Sequence, residues 1–399
     1  MSVLGVVVEY NPFHLGHLHH LQEAKRLTQP EATVAVISGC FTQRGEPALV
    51  DKWARAEMAL EAGVDLVIEL PVASAVRSAA YFAAGATSIL AAAGATTVCF
   101  GSEIGSLAPL EEAAQILLTE PPAFRQALRA ALAAGRPFAA AQDCGLRAVA
   151  PHLPESLLRQ PNNRLGIEYL QAIMRHNLPL KASTIRRSNN YHSLDVAAAV
   201  PSARAIRQAV LQGEPAFGMP RFAVDILQRA CAAGHGPVSW ADLEQPLIYQ
   251  LRSLPESVLA AYPEAAEGLG RRLWQAAREH GSLQQVIRAT KTRRFALTRV
   301  QRLLTYVLLQ LATDQLNQFT SHPAPYLRVL ALNRSNQTAR KLLQQAAAPV
   351  VFSPTAAQQL PAPAAASLEL DSRAVDCYTL AWQRDSLAGW DYRMPVVVR

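Results

Sequence analysis

Two histidines near the start of the chain have the spacing and the surroundings to act on a phosphate group. His14 and His17 flank Gly16 in the stretch VVVEYNPFHLGHLHHL, residues 6–21, which makes an HxGH motif. Imidazole rings can donate hydrogen bonds to phosphate oxygens and stabilise the charge that develops on them in a transition state. Gly16 has no side chain, so a base or a ribose can lie against this point. The motif therefore predicts nucleotide chemistry.

A strand, a turn and a helix must position these histidines. The apolar run Val3–Val8 predicts a buried strand, Asn11-Pro12 is a turn signal, and residues 15–27 are compatible with a helix. A helix that begins directly after a strand directs backbone N–H groups and the positive end of its dipole to one point, where an anion binds. The pair of histidines alone leaves open a metal site or a helix cap. This context favours a phosphate.

The first part of the chain predicts a doubly wound α/β domain with a parallel sheet, and its HxGH motif resembles the signature of the Rossmann-like nucleotidyltransferase superfamily. Apolar runs at residues 33–38, 65–70 and 96–100 alternate with helix-compatible segments, and residues 180–185 predict a fifth strand. In such sheets ligands lie beyond the carboxyl ends of the strands. Residues predicted to meet there, in one shared site, are His14, the loop 39–47, Glu69 and Gly101-Ser102-Glu103.

The pattern divides the chain into three predicted regions. Residues 1–215 form the catalytic domain, residues 216–320 a helical and basic region, and residues 321–399 a small α/β tail. In that tail we predict a helix at 374–384, and the Ala/Pro-rich run 360–366 is either a linker or the lead-in to a helix. The last long helix of the middle region has a core face at i, i+3, i+4 spacing. Its members are Val300, Leu303, Leu304, Val307, Leu308 and Leu311.

Composition argues for a cytoplasmic protein. The chain has 399 residues, and we find no run of about 18 uncharged apolar residues that would predict a membrane span. Its start lacks a basic segment followed by an apolar one, so we expect no export. Five scattered cysteines without a CxxC pair suit a reducing compartment and predict neither disulfides nor a zinc ribbon.

The positive charge is concentrated in one segment. Residues 288–341 hold ten Lys or Arg against one acid, so this segment has a net charge of +9. The whole chain has a net charge of +7, so the remaining residues together carry about −2. A basic patch on a near-neutral body predicts a polyanionic partner. Within KTRRFALTR, Phe295 would supply a ring for one stacked base. The alternative is a solvated helix face. The predicted RNA contacts are Lys291, Arg293, Arg294, Arg299 and Arg302.

A second group of cations follows the predicted fifth strand. Arg186 and Arg187 end that strand, and Ser202 is a suitable N-cap for a helix with Arg204 and Arg207 in its first two turns. Cations at a helix start oppose the helix dipole, a cost that is easier to tolerate if an anion binds between them. The alternative is a pair of arginines at the surface.

Several segments together resemble one family, the bacterial tRNA(Met) cytidine acetate ligases of the HxGH nucleotidyltransferase superfamily. The resemblance covers nearly the whole chain and is densest over the first 210 residues. NPFHxGH, SGxFxQRGEPA and DLVIELP are specific in combination. The segments that carry it are VVVEYNPFHLGHLHHL, SGCFTQRGEPALVDKWARAEMAL, DLVIELP, FGSE, QPNNRLGIEY, STIRR with the following YH, and KTRRF.

The resemblance implies a reaction, its co-substrates and its partners. ATP activates acetate as acetyl-adenylate, and the acetyl group is joined to the exocyclic amine of the wobble cytidine of elongator tRNA(Met), giving N4-acetylcytidine. Acetyl-CoA is not needed. Carboxylate attack on the α-phosphate releases pyrophosphate, so catalysis is mostly positioning and electrostatic stabilisation. Mg²⁺ is expected with ATP, ordered through water by Glu9 or Glu103. No resident metal site is expected.

The resemblance also assigns site residues. His14 and His17 act on the triphosphate as catalytic residues, Arg186, Arg204 and Arg207 are further phosphate contacts, and Gln43, Arg44 and Glu46 border the acetate or cytidine pocket. Whether Asn162 or Asn163, and whether Arg187 or Arg186, contacts the ligand stays open. His19 and His20 otherwise fit a helix surface. The implied ATP contacts are Val7, Val8, Glu9, Tyr10, Asn11, Pro12, Phe13, His14, Leu15, Gly16, His17, Leu18, His19, His20, Gly101, Asn162 and Arg187.

Two other functions fit part of the sequence. One is another HxGH adenylyltransferase or acyl-adenylate-forming enzyme with a small-molecule acceptor, which would not need the segment of charge +9. The other is a non-catalytic RNA-binding factor, against which the intact His14, Gly16 and His17 argue. Fold alone does not fix function, so the acceptor rests on the resemblance.

Overall fold

The described strands form one eight-stranded sheet. The computed structural model describes residues 1–155, 157–187 and 202–399; Tyr191 and His192 of the YH motif lie outside them. The strand order is β5-β4-β1-β2-β3-β6-β7, and β8 pairs with β6. The strands are β1 (Val3–Val8), β2 (Ala32–Ser38), β3 (Leu66–Leu70), β4 (Thr97–Ser102), β5 (Lys181–Arg186), β6 (Leu327–Leu332), β7 (Val350–Val351) and β8 (Val397–Val398).

Helices cover both faces of this sheet and build a separate helical layer. A short 3₁₀ segment, Pro354–Gln359, precedes α18. The described helices are α1 (Leu15–Thr28), α2 (Lys52–Glu61), α3 (Val72–Ala75), α4 (Ala79–Ala92), α5 (Ala108–Thr119), α6 (Pro122–Ala133), α7 (Phe138–Val149), α8 (Pro161–Arg175), α9 (Ala203–Leu211), α10 (Arg221–Ala232), α11 (Glu244–Ser253), α12 (Glu256–Ala260), α13 (Leu269–Glu279), α14 (Leu283–Thr290), α15 (Leu297–Leu309), α16 (Thr313–Thr320), α17 (Gln337–Gln344), α18 (Ala362–Thr379) and α19 (Trp390–Arg393).

The five predicted parallel strands are confirmed. β1 is central and pairs in parallel with β2 on one side and with β4 on the other. β3 extends the sheet beyond β2, and β5 extends it beyond β4, both in parallel. β2 and β3 are buried along their whole length because helices cover both faces, which is why they appear in the sequence as continuous apolar runs.

The C-terminal segment completes the same sheet. β6 pairs antiparallel with β3, from Leu66 opposite Leu332 to Glu69 opposite Arg328. The predicted helix bounds 374–384 are wrong, because α18 begins at Ala362 and ends at Thr379, and of the two alternatives for residues 360–366 the lead-in to a helix is confirmed. Pro361 stands just before the helix, and the run that follows is rich in alanine, the best helix former, so it continues the helix rather than linking to it.

A buried ionic cluster ties the C-terminal segment to the sheet. Lys52 Nζ lies 2.7 Å from Glu69 and 3.0 Å from Asp391, and Arg328 lies 3.2 Å from Asp391. All four side chains are almost completely buried. The expectation that Glu69 joins the shared site is therefore wrong, since its carboxylate is held by Lys52 beneath the sheet edge.

The helical layer has its own core, and α15 runs through it. Every residue of the predicted apolar face, from Val300 to Leu311, is buried, which confirms that prediction. Across the described parts of the chain, no helix has the length and apolarity to cross a bilayer.

Candidate active site

A cavity of about 380 Å³ opens at the carboxyl ends of the central parallel strands. Its wall is formed by the end of β1 with the start of α1, the loop after β2, and the ends of β4 and β5 with the starts of α8 and α9. The volume falls in the range of small-molecule sites, and the position is the one where ligands bind in open α/β sheets.

The two histidines of the HxGH motif hold each other at the start of α1. His14 is the N-cap, and its Nδ1 accepts a hydrogen bond from the backbone N–H of Gly16 at 3.0 Å. His17 Nδ1 accepts from the backbone N–H of His14 at 3.3 Å. The rings stack with centroids 3.7 Å apart. Because each Nδ1 is an acceptor, each Nε2 carries the hydrogen of a neutral ring and can donate it to a phosphate oxygen.

Burial keeps these rings neutral. Loss of water contact lowers the pKa of His14 to about 3, and the Arg187 guanidinium lowers it further than burial alone would. The pKa of His17 lies well below its usual range for the same reason, with His14 and Arg187 contributing. The site thus offers neutral hydrogen-bond donors near fixed positive charges, which is the preorganised arrangement that stabilises a developing phosphate charge.

A third histidine belongs to the site. His20 was interpreted as a surface residue, but it lines the cavity, and its Nε2 is buried without a hydrogen-bond partner among the described residues. Burial and Arg187 lower its pKa to about 4. His14, His17 and His20 are three residues apart, a spacing that places side chains on one helix face, so the signal was present in the sequence. His19 is exposed at the rim.

Glu103 binds both Asn162 and Asn163, and only Asn162 faces the cavity. Its carboxylate accepts hydrogen bonds from the backbone N–H of Asn162 at 3.1 Å, the Asn162 side-chain amide at 2.7 Å and the backbone N–H of Asn163 at 2.7 Å. Asn163 is fully buried, and its Oδ1 accepts the N–H groups of Glu103 and Ile104. Asn162 lines the cavity, and Asn163 does not. Glu103 is therefore committed to the start of α8.

Arg187 lies on the cavity wall that the ends of β4 and β5 and the start of α8 form. Its Nη1 donates to Asn162 Oδ1 at 3.2 Å. A Cβ on Gly101 would lie 2.9 Å from the Arg187 Cγ and Cδ, so only glycine leaves room for the arginine stem to cross here. Arg186 and Arg204 also line the cavity, with exposed side chains. Arg207 lines it too and donates to the backbone carbonyl of Asn11 at 2.6 Å.

The loop after β2 forms the opposite wall and rests on α15. The backbone N–H of Gln43 donates to Glu9 Oε1 at 2.6 Å. Glu46 accepts from Gln301 at 2.9 Å and lies 3.4 Å from Arg207. Gly45 has φ +82°, and a Cβ there would overlap the backbone of Arg302. The loop thus connects the cavity directly to the helical region.

Most of the predicted ATP contacts meet in the cavity. Pro12, Phe13, Leu15 and Leu18 do not line it; Phe13 is fully buried in the core below. Tyr10 does line it, with a left-handed φ of +47° that is uncommon for a bulky residue. The predicted residues that line the cavity are Val7, Val8, Glu9, Tyr10, Asn11, His14, Gly16, His17, His19, His20, Gln43, Arg44, Glu46, Gly101, Asn162, Arg186, Arg187, Arg204 and Arg207.

The aromatic part of the wall was not predicted. Phe82 on α4, Phe100 on β4 and Tyr169 on α8 line the cavity, and the rings of Phe100 and Tyr169 have centroids 5.7 Å apart. These residues lie far apart in the chain and resemble ordinary core residues. No local pattern identifies them, because only the tertiary fold brings α4 and α8 over the sheet.

The predicted tRNA contacts fall into two groups. Lys291, Arg293 and Arg294 are exposed, although Arg294 lies 3.6 Å from Glu267. Arg299 and Arg302 form ion pairs with Glu264 at 3.3 and 2.8 Å. The prediction that Phe295 offers its ring to a base is wrong.

The Phe295 ring is buried in the core of the helical layer, although Arg293, Arg294 and Ala296 beside it are exposed. Within the described residues, no group of three His, Cys, Asp or Glu side chains is arranged to hold a metal ion.

Comparison with known proteins gives consistent matches over the whole chain. Residues 1–389 match the HIGH Nucleotidyl Transferase family model. The tRNA(Met) cytidine acetate ligase of Syntrophomonas wolfei is 39% identical over 98% of both chains, and that of Acetivibrio thermocellus is 35% identical over 100% of both. The crystal structure of Thermotoga maritima TmcAL in its apo form I superposes with a TM-score of 0.95 at 30% identity, covering 100% of this chain and 99% of that one. A second structure of that protein, bound with alpha-thio ATP, superposes with a TM-score of 0.92.

Proposed function

The chain belongs to the tRNA(Met) cytidine acetate ligase family within the HIGH nucleotidyl transferases, and from that membership we propose how its cavity performs the reaction. The enzyme is an ATP-dependent carbon–nitrogen ligase. Acetate attacks the α-phosphate of ATP, pyrophosphate leaves, and acetyl-adenylate remains in the cavity. The exocyclic amine of the wobble cytidine of elongator tRNA(Met) then takes the acetyl group, and AMP is released.

One observation carries the assignment of the first step. His14 and His17 form a stacked, neutral pair whose Nε2 hydrogens are free to donate, at the start of a helix that lines the cavity. Arg187, held by Asn162, supplies the nearby positive charge. These groups match what the step needs, because negative charge grows on the phosphate oxygens as the carboxylate attacks. We assign the triphosphate to them, with Arg186, Arg204 and Arg207 as further contacts.

We propose that acetate, rather than acetyl-CoA, is the donor and that Mg²⁺ arrives bound to ATP. Among the described residues, the acids that line the cavity are Glu9 and Glu46, and Glu46 is engaged by Arg207 and Gln301. The carboxylate of Glu103 is committed to the start of α8. This donor set does not make a cage for a resident ion, and it suits a cation carried by phosphates that keeps most of its waters.

We propose that the tRNA lies on the 216–320 region, with its anticodon directed to the loop after β2. Lys291, Arg293 and Arg294 are the exposed cations for the phosphates. Arg299 and Arg302 pair with Glu264, so in this proposal they hold the shape of the surface and contribute less to tRNA binding. The loop around Glu46 touches α15, so the basic region and the cavity are neighbours. Because tRNA and ATP are cytoplasmic, so is the proposed site of action.

The test supplies purified protein with ATP, isotope-labelled acetate and total bacterial tRNA, then digests the RNA and measures acetylated cytidine by mass. We expect labelled N4-acetylcytidine, without acetyl-CoA, in elongator tRNA(Met). Acetate-dependent release of pyrophosphate without an RNA product would keep the adenylating step and overturn the acceptor. Absence of both would overturn the proposal.

A further inference from the structure

The two walls of the cavity carry different chemistry. His20, Gly101, Asn162 and Arg187 line the wall formed by β4, β5 and α8, where Arg187 lowers the pKa values of the histidines. Glu9 lies at the end of β1, beside the loop after β2. The charges of Arg44, Arg207 and Arg55 act on its carboxyl and oppose the effect of burial on its pKa. His20, Asn162 and Arg187 therefore lie together on one wall, and the Glu9 carboxylate lies beside the loop that forms the other.

The position of Glu9 is fixed by its backbone and by one of its two carboxylate oxygens. Its backbone carbonyl accepts a hydrogen bond from Arg55 Nη1 at 2.8 Å, and its Oε1 accepts the N–H of Gln43 at 2.6 Å. Among the described residues, its Oε2 accepts no hydrogen bond, and no cationic group lies within 4 Å of the carboxylate. Burial raises the pKa of Glu9 above its ordinary value, so the carboxylate has more affinity for a proton than an exposed glutamate.

The other candidate bases of the cavity are already engaged. Glu46 is bonded to Gln301 and paired with Arg207. His14 and His17 use their Nδ1 lone pairs on backbone N–H groups, so their rings offer no free acceptor. His20 is the exception, because its Nε2 has no partner among the described residues, but it lies beside Arg187 and its pKa of about 4 makes it a weaker base than Glu9. Within the described part of the opposite wall, the Glu9 carboxylate is the acceptor with an uncommitted oxygen.

Resting on the proposed function, we propose that Glu9 is the general base of the second step and accepts the proton of the cytidine amine. The cytidine N4 attacks the acetyl carbonyl carbon of acetyl-adenylate, and a C–N bond forms. One N4 proton passes to Glu9 Oε2. The C–O bond to the phosphate then breaks, AMP leaves with that electron pair, and Glu9 later releases the proton to solvent. A base is needed because the conjugated amine is a weak nucleophile and becomes cationic as it attacks.

The test separates the two steps in one variant, Glu9→Gln. Hydroxylamine is a strong nucleophile that intercepts acetyl-adenylate without a base on the protein, so acetohydroxamate formation from ATP and acetate reports the first step. We expect Glu9→Gln to lose single-turnover acetyl transfer to tRNA by a factor about 10²–10⁴ larger than the factor by which it loses hydroxamate formation. Glu111→Gln, which removes an exposed carboxylate on α5, is the matched control and should leave both rates unchanged.

Four results would overturn the inference. Transfer by Glu9→Gln at the wild-type rate would mean that water or the adenylate phosphate takes the proton. An equal loss of hydroxamate and transfer would assign Glu9 to ATP, acetate or Mg²⁺ instead. If Glu9→Gln does not fold, Glu9→Asp should lose transfer at least tenfold more than it loses hydroxamate formation, and equal losses there would also refute the role. A wild-type protein that makes hydroxamate but no acetylcytidine would overturn the proposed function, and this inference with it.

Discussion

His14 Nδ1 lies 3.0 Å from the backbone nitrogen of Gly16, so one imidazole caps α1 with one ring nitrogen and keeps the other for the ligand. The two roles can be separated by substitution. Asparagine is a good N-cap, whereas alanine is not. We expect His14→Ala to lose about 1 kcal/mol of unfolding free energy and His14→Asn to lose much less.

Both His14 variants should lose acetate-dependent ATP–pyrophosphate exchange by about 10²–10³-fold, because neither supplies the Nε2 donor. Their affinity for tRNA should stay near that of the wild type. His152→Asn, at an exposed histidine, is the control. Normal exchange by either variant would remove His14 from the catalytic site.

The buried histidines predict an acid-sensitive protein. In the folded chain the pKa of His20 is about 4, whereas in the unfolded chain it is near its ordinary value of about 6.5. Between these values the unfolded chain binds a proton that the folded chain refuses, so the unfolding free energy falls as pH falls. Replacing His20 with Asn should reduce that fall by about 2 kcal/mol between pH 7 and pH 4.5. Urea denaturation at the two pH values measures it, and an identical fall in both proteins would contradict the burial of His20.

Gly101 provides a test of the arginine beside it. A methyl group at this position would lie 2.9 Å from the Arg187 stem and must displace it. We expect Gly101→Ala to raise the KM for ATP about tenfold or more, since a charge-assisted hydrogen bond contributes roughly 1.5–3 kcal/mol. The KM for acetate should change far less. Gly281→Ala, where a Cβ meets nothing within 4 Å, is the control. An unchanged KM for ATP would mean that Arg187 does not hold the triphosphate.

The exposed and paired arginines of the basic region should behave differently. Arg293→Ala with Arg294→Ala should weaken tRNA binding about tenfold or more at low salt and flatten its salt dependence by about two charges. Arg299→Ala should instead lower the unfolding temperature, because this side chain bridges Glu264 and Glu267 and is mostly buried. Arg125→Ala with Arg129→Ala, two exposed arginines on α6, is the matched control. If the control pair weakens binding as much as Arg293 and Arg294 do, the proposed surface is wrong.

The parallel strands and the start of α1 could be predicted from the sequence because the relevant information is local. A strand buried on both faces is a continuous apolar run, as in β1 and β2, and a turn signal followed by helix-forming residues marks the next helix. The same applies to the N-cap Asp51, whose carboxylate accepts the N–H of Ala54 at 2.8 Å. His14 and His17 could be found for the same reason.

What could not be predicted depends on partners far along the chain. The hydrogen bonds of Glu103 to Asn162 and Asn163 exist only because the fold brings the start of α8 to its carboxylate. Glu69 is expected at the site by its place at a strand end, but Lys52 on α2 engages its buried carboxylate. Phe295 lies in a basic segment, as an aromatic residue that stacks on RNA would, but its ring is buried like that of a core residue. Each error concerns a side chain whose direction is decided by tertiary packing.

The pairing of β6 with β3 also has a consequence for synthesis of the protein on the ribosome. While the first two hundred residues emerge, the outer edge of β3, Leu66–Leu70, has no neighbour, because residues 327–332 have yet to be made. An apolar strand with an open edge is a template for pairing with another chain. A nascent chain at this stage should therefore need a chaperone, and a recombinant fragment limited to residues 1–215 should aggregate even though it contains nearly every residue of the ATP site.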